Sequence, residues 1–169
     1  INVFVDRFVR GILASETIKE EIVSDNKVNA VFDEIEKGRD RVVVIVCAAV
    51  LDDALQHLLG KFFVEDGTSS QHLFEGTGPL QSLSSKIHIA YRLGLITKTQ
   101  KNDLDLIRRI RNDFAHDANV ASFSHQETAN RCRELLIPNH WLTGSDAMDA
   151  RERFKSSFAA LAYALAVSM

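Results

Sequence analysis

The chain has 169 residues, with 20 Lys and Arg against 23 Asp and Glu, a formal net charge of −3 and 46% hydrophobic residues. That is the make-up of one globular domain with material for a single sizeable core. The acidic balance argues against holding nucleic acid by bulk electrostatics, because such domains carry a basic excess on one face. The two cysteines, Cys47 and Cys132, are far apart and give no disulfide framework. No CxxC, HExxH or His/Cys cluster at ligand spacing occurs, so neither a metal nor a cofactor is expected. The most apolar run, Val42 to Leu51, is shorter than the roughly 20 residues of a membrane span and is followed by Asp52 and Asp53. No charged n-region precedes an apolar stretch at the start. The expected location is therefore the cytoplasm.

Two prolines and eight glycines leave few breakers, and the stretches between them carry helical spacing of apolar residues. Phe4, Val5, Phe8, Ile12 and Leu13 form a first stripe. Ile18, Ile22, Val28, Phe32 and Ile35 form a second, stopped by Gly38. From Arg39, apolar residues run from Val42 to Phe62 as a central buried helix, before a turn-rich stretch from Glu65 to Gly78. The consecutive β-branched residues Val42 to Val46 make a strand the rival reading. Helical spacing nevertheless continues through Ala54, Leu55 and Leu59 without Gly or Pro, and no second β-rich run exists to pair with.

Gly78-Pro79-Leu80 then leads into a helix with Leu83, Ile87, Ala90 and Tyr91 on one face, Ser82 as N-cap and Gly94 as its close. Thr97 starts the next, with Leu104, Ile107, Ile110, Phe114 and Ala118 facing inward. Ser124 followed by Glu127 is an N-cap and capping-box signature for another, which Pro138 ends. Asp146 to Val167 is the last, apolar at Phe154, Phe158, Leu161 and Leu165. Without repeats or low-complexity segments, residues 1–169 read as one all-α domain, an antiparallel helical bundle of about six or seven helices.

Positive charge, amide, carboxylate and imidazole concentrate on one predicted helix, Asp105 to Asp117. Between Lys101 and Asn119, Lys101, Arg108, Arg109 and Arg111 are balanced by Asp103, Asp105, Asp113 and Asp117, so this is no basic stripe. Arg108, Asn112 and His116 follow each other at i, i+4 and i+8 and share a face, at the border of the apolar stripe, whereas Arg111 and His116 lie about 140° apart on a regular helix. Those two converge only if the helix ends near His116 or a second chain contributes. As plain structure, His116 favours the helix C-terminus, and Asp113 and Asp117 are within reach of Arg108, Arg109 or His116 as ordinary ion pairs.

Arg111-Asn112-Asp113-Phe114-Ala115-His116 matches the RxxxxH motif of the HEPN superfamily of helical bundles, with a polar residue directly after the Arg. The wider stretch, with Gly78-Pro79-Leu80, Leu83, Ile87, Tyr91, Leu93-Gly94-Leu95-Ile96 and Arg111 to Asp117, more closely resembles the bacterial mannitol operon repressor family. That resemblance extends from about Arg39 to Leu135; the first 38 residues and the final helix match less well. It implies a regulator of sugar-alcohol operon transcription, and no helix-turn-helix is identified here. With the overall charge of −3, regulation through a protein partner and a homo-oligomer fits better than direct operator binding. Arg108, Asn112 and His116 then form the interaction surface.

The HEPN resemblance implies instead a metal-independent endoribonuclease acting on RNA. His116 would be the general acid or base for 2′-hydroxyl attack, Arg111 would stabilise the anionic transition state and Asn112 would orient one of them. Whether the chain is an enzyme therefore stays open between the two resemblances. Other candidates carry less. Asp52 and Asp53 diverge by about 100° on a helix and cannot share a ligand, so one is expected exposed and the other capped or paired. His57, His72 and His88 sit on separate elements, and His125 and His140 read as surface or packing residues. Ser69-Ser70 and Ser84-Ser85 lack a nucleophile-elbow context, and Gly76-Thr77-Gly78 lacks the ending of a phosphate loop. Phe62, Phe63 and Phe74 are expected in the core.

Overall fold

The computed structural model describes residues 33–64, 69–116, 122–137 and 148–168. Among them every regular element is a helix. The stripes of the first 32 residues, Ala118, Asp117, Pro138, His140 and Asp146 lie outside the described residues. Residues 33–37 are helical and Gly38 ends that helix, its N–H bonded to the Glu34 carbonyl at 2.9 Å. Six helices follow: α1 (Asp40–Gly60), α2 (Ser69–Phe74), α3 (Leu83–Arg92), α4 (Lys98–His116), α5 (Gln126–Arg133) and α6 (Ala150–Val167).

α1 is the helix that strand propensity disputes. It buries Val43, Val44, Cys47, Ala48, Leu51, Leu55, Leu58 and Leu59 against α3, α4 and α6. A β-branched residue loses at most about 0.7 kcal/mol in helix propensity, whereas burying a Val or Leu side chain contributes about 1.5–3 kcal/mol. Packing therefore decides the conformation. By length and composition the same helix is long and apolar enough to cross a membrane, but neighbouring helices cover its apolar face, as they do for a core helix.

α2 is a correction, since it forms inside the stretch read as turns. Six residues carry too little periodicity to be recognised, and tertiary contact holds them: Phe74 is buried and its ring centroid lies 6.0 Å from that of Phe63. Phe62, expected inside, is 57% exposed just beyond the end of α1. The Gly78-Pro79-Leu80 motif closes the chain back onto α2. A Cβ on Gly78 would stand 2.2 Å from the His72 carbonyl oxygen, so only glycine permits the approach. Leu80 is buried and its N–H bonds to the Leu73 carbonyl at 2.9 Å.

The caps explain where α3 and α4 begin and end. Ser82 Oγ accepts from the Ser85 N–H at 3.0 Å, as the spacing predicts. Gly94 takes φ +75°, and the Leu95 N–H returns to Ala90 O at 2.9 Å while Gly94 N–H bonds Tyr91 O at 3.1 Å. This is a Schellman close, in which the residue after the glycine turns back into the core. Thr97 and Gln100 exchange side-chain bonds with each other's backbone N–H at 3.2 and 2.7 Å, a capping box that starts α4. α4 buries Leu104, Ile107, Ile110 and Phe114, four of the five positions its spacing selects, the fifth, Ala118, lying outside the described residues.

α5 starts from His125, not Ser124. Ser124 is held instead by Ser122, and Glu127 reaches Arg131 at 2.7 Å along its own helix. α5 also ends at Arg133, before the proline expected to stop it. α6 begins at Ala150 under a capping box of Asp149 and Glu152 and buries Phe154, Phe158, Leu161 and Leu165.

Two polar junctions, the first part-buried and the second buried, set the arrangement. Asp40, at the start of α1, accepts from Arg151 Nη1 at 2.7 Å and from the Phe123 N–H at 2.9 Å. Phe123 lies just beyond α4, so α4 runs opposite to α1, while α6 starts at the same end as α1. Arg151 also donates to the carbonyls of Glu36 and Gly38. Asp103 has no exposed surface; its carboxylate accepts from the backbone N–H groups of Leu136 and Ile137 and from Ser157 Oγ, each at 3.0 Å. A run of tilted aromatic pairs, Phe114–Phe123–Phe154, ties α4 to α6 through the intervening loop.

Candidate functional site

α4 turns its apolar stripe inward, which leaves its polar flank along α1. There Arg108, Arg111 and Asn112 form one wall of an open groove of about 470 Å³. The opposite wall is a stripe of α1, Ile45, Ala48, Ala49 and Asp52, whose two alanines let the walls approach. Gln81 to Ser84, the entry to α3, complete the lining. That entry is placed by the Gly78 approach to α2 and by the Ser82 cap.

Arg111 Nη1 donates to Asn112 Oδ1 at 3.1 Å. Arg108 Nε lies 3.5 Å from Asp105, which also pairs with Lys101 at 2.7 Å. Burial pushes the Asp105 carboxyl upward, but Lys101 and Arg108 together hold it below the usual carboxylate range. Asp52 meets Lys86 at 2.9 Å; that lysine is 2% exposed, donates to Gln56 Oε1 at 3.0 Å and lies 5.9 Å from the Phe74 ring centroid. Asp53 is exposed, and its carboxyl is pushed up by burial and by the Asp52 charge. One carboxylate is thus paired and its neighbour exposed, as the divergence of adjacent helical residues requires.

The structure brings Arg108, Arg111 and Asn112 to one groove and leaves His116 apart. α4 is helical through both Arg111 and His116, so they point about 140° apart, and His116 is exposed at the last turn. Asp113 pairs not within α4 but with Arg131 of α5. The facing wall escaped the sequence reading. Its signal was the i, i+3, i+4, i+7 spacing of Ile45, Ala48, Ala49 and Asp52, which marks one helix face but not what lies across from it. Among the described residues no group of three or more His, Cys, Asp or Glu side chains converges as metal ligands do.

Fold and groove define a class: an all-α helical bundle with a polar-rimmed surface cleft. Residues 27–161 match the family model described as Mannitol repressor, and the chain belongs to that family. It is 28% identical over 112 residues to the mannitol operon repressor of Escherichia coli K12, an alignment covering 63% of this chain and 57% of that protein. The mannitol operon repressor of Escherichia coli O6:H1 gives the same figures. The chain thus spans little more than half the length of the curated relatives it matches. The X-ray structure of the MtlR-HPr complex from Escherichia coli shares the fold, with a TM-score of 0.60 at 21% identity over 97% of this chain and 99% of that one.

Proposed function

We propose that this chain regulates transcription in the manner of the mannitol repressors and does so by binding another protein. The face of α4 that carries Arg108 and Asn112, with His116 one turn on, is the interaction surface. The observation that carries this reading is the placement of those side chains. Arg108 and Asn112 line one wall of a groove opposite α1, with His116 exposed beyond it, and Asp52, Asp105 and Asp113 stand close to the cations of the region. A surface balanced in this way suits a protein partner better than a phosphate backbone, whose binding draws on uncompensated Lys and Arg.

The similarity to a repressor solved in complex with HPr supports a protein of the HPr kind as partner. A cytoplasmic location and a homo-oligomer belong to the same proposal. Exposed Phe62, Val64, Leu93 and Val167 are apolar surface that a second copy would cover. The ribonuclease alternative draws no support from the groove, which His116 does not line.

Titration calorimetry of the purified chain against Escherichia coli HPr tests the proposal. Saturable binding that weakens about tenfold or more in Arg108→Glu supports the assigned surface. The proposal is overturned by absence of HPr binding together with operator-DNA binding that falls steeply with salt. RNA cleavage in chelator that is lost in Arg111→Ala and His116→Ala overturns it as well.

A further inference from the structure

We infer that the groove between α1, α4 and the entry to α3 is also a small-molecule site, and that its ligand class is an open-chain phosphorylated polyol. The volume of about 470 Å³ lies within the range of small-ligand sites. Its charge is the first discriminator. The lining carries Arg108 and Arg111 against Asp52, and the Asp52 charge is met from behind the wall by buried Lys86 at 2.9 Å. The field inside is therefore set first by Arg111, with Arg108 offset in part by Asp105 at 3.5 Å; the two guanidiniums stand three residues apart on one helix and so on adjoining faces, within a chain whose net charge is −3. Guanidinium forks match the oxygens of a phosphomonoester, which needs donors only.

The remaining lining selects what the phosphate is attached to. Asp52 accepts, Gln81 both donates and accepts, and Asn112 offers its amide N–H while Arg111 holds its Oδ1. Ser84 offers a hydroxyl while Ser82 Oγ stays engaged in the α3 cap, which leaves the mixture of donors and acceptors that a row of ligand hydroxyl groups requires. Ile45, Ala48 and Leu83 supply apolar surface for a carbon chain. Among the described residues no aromatic side chain lines the groove, so they give a nucleobase no stacking surface, and a nucleotide is disfavoured relative to an open-chain ester. This assignment is independent of the protein-partner reading, because it is tested by the ligand alone.

The test is calorimetric titration of the intact chain with mannitol 1-phosphate, mannitol, inorganic phosphate and AMP as probes. The expected order places the phosphate ester first, with inorganic phosphate and AMP weaker and mannitol without heat. Arg111→Ala and Arg108→Ala each weaken the ester by about tenfold or more, and Arg111→Lys restores part of the loss. Gln81→Ala weakens the ester and leaves inorganic phosphate unchanged. Circular dichroism confirms that each variant is folded. Three results overturn the inference: no saturable binding of the ester, equal affinity in folded Arg111→Ala, or AMP binding tighter than the ester.

Discussion

Asp103 shows how a charged residue becomes part of a core. The position reads from sequence as one of four acidic residues offsetting four cations, yet its carboxylate is fully buried and takes up two backbone N–H groups and a hydroxyl. The Ile137 N–H and the Ser157 hydroxyl would otherwise be buried without an acceptor, each at a cost of about 1–3 kcal/mol. Asp103→Asn keeps the shape but turns a donor toward donors. The expected loss of stability is about 1–3 kcal/mol in urea denaturation, with the segment after α5 the first to lose amide-exchange protection; Ser157→Ala should lose less. The glycines of the two family motifs also have local causes. Gly78 permits the approach to α2, and Gly94 supplies the left-handed turn after α3.

At the scale of elements, α4 joins an apolar stripe to a polar flank, and two carboxylates, Asp105 of α4 and Asp53 of α1, titrate in opposite senses. Asp105 has a lowered pKa, so its contribution to stability is present above the ordinary carboxylate pKa and is lost as pH falls through the lowered value. Asp105→Asn is expected to be less stable than the parent at neutral pH, by under about 1 kcal/mol because the pair is partly solvated, and to converge with it in acid. Asp53 has a raised pKa, so ionising it opposes folding as pH rises through that value. Asp53→Asn should therefore match or exceed the parent at neutral pH, and the difference should vanish on acidification. Urea melts of the three proteins across the acidic range check both signs.

Helix existence was legible wherever apolar spacing was long. Ser82 and Gly94 were legible as caps because a single residue type performs each job. α2 was not, being shorter than two turns, and Ser124 misled because Ser122 and Ser124 bond each other while His125 takes the cap position.

At the scale of the molecule, both thiols are free and buried, Cys47 in α1 and Cys132 in α5. Burial pushes the Cys132 thiol up to about 12 and raises that of Cys47 as well. Neither should react with a disulfide reagent at pH 8 until the chain opens, so the labelling rate should follow denaturant-induced unfolding for both. Rapid labelling of either in the native state would contradict the packing around α1 and α5.

Length, charge balance, helical periodicity and the Gly78 and Leu93–Ile96 motifs were enough to establish an all-α bundle, its central helix and its family. Each of these rests on spacing along one chain segment, which a helix converts directly into a face. Which faces meet is another matter, because partners across a groove are distant in sequence and no local periodicity encodes them. The pairing of Arg108 and Arg111 with a wall of α1, the burial of Asp103 and the isolation of His116 arise only when α1, α3, α4 and α6 pack together. Folding thus chose, among charged residues that look alike in sequence, which became an anchor, which a groove wall and which a solvated helix end.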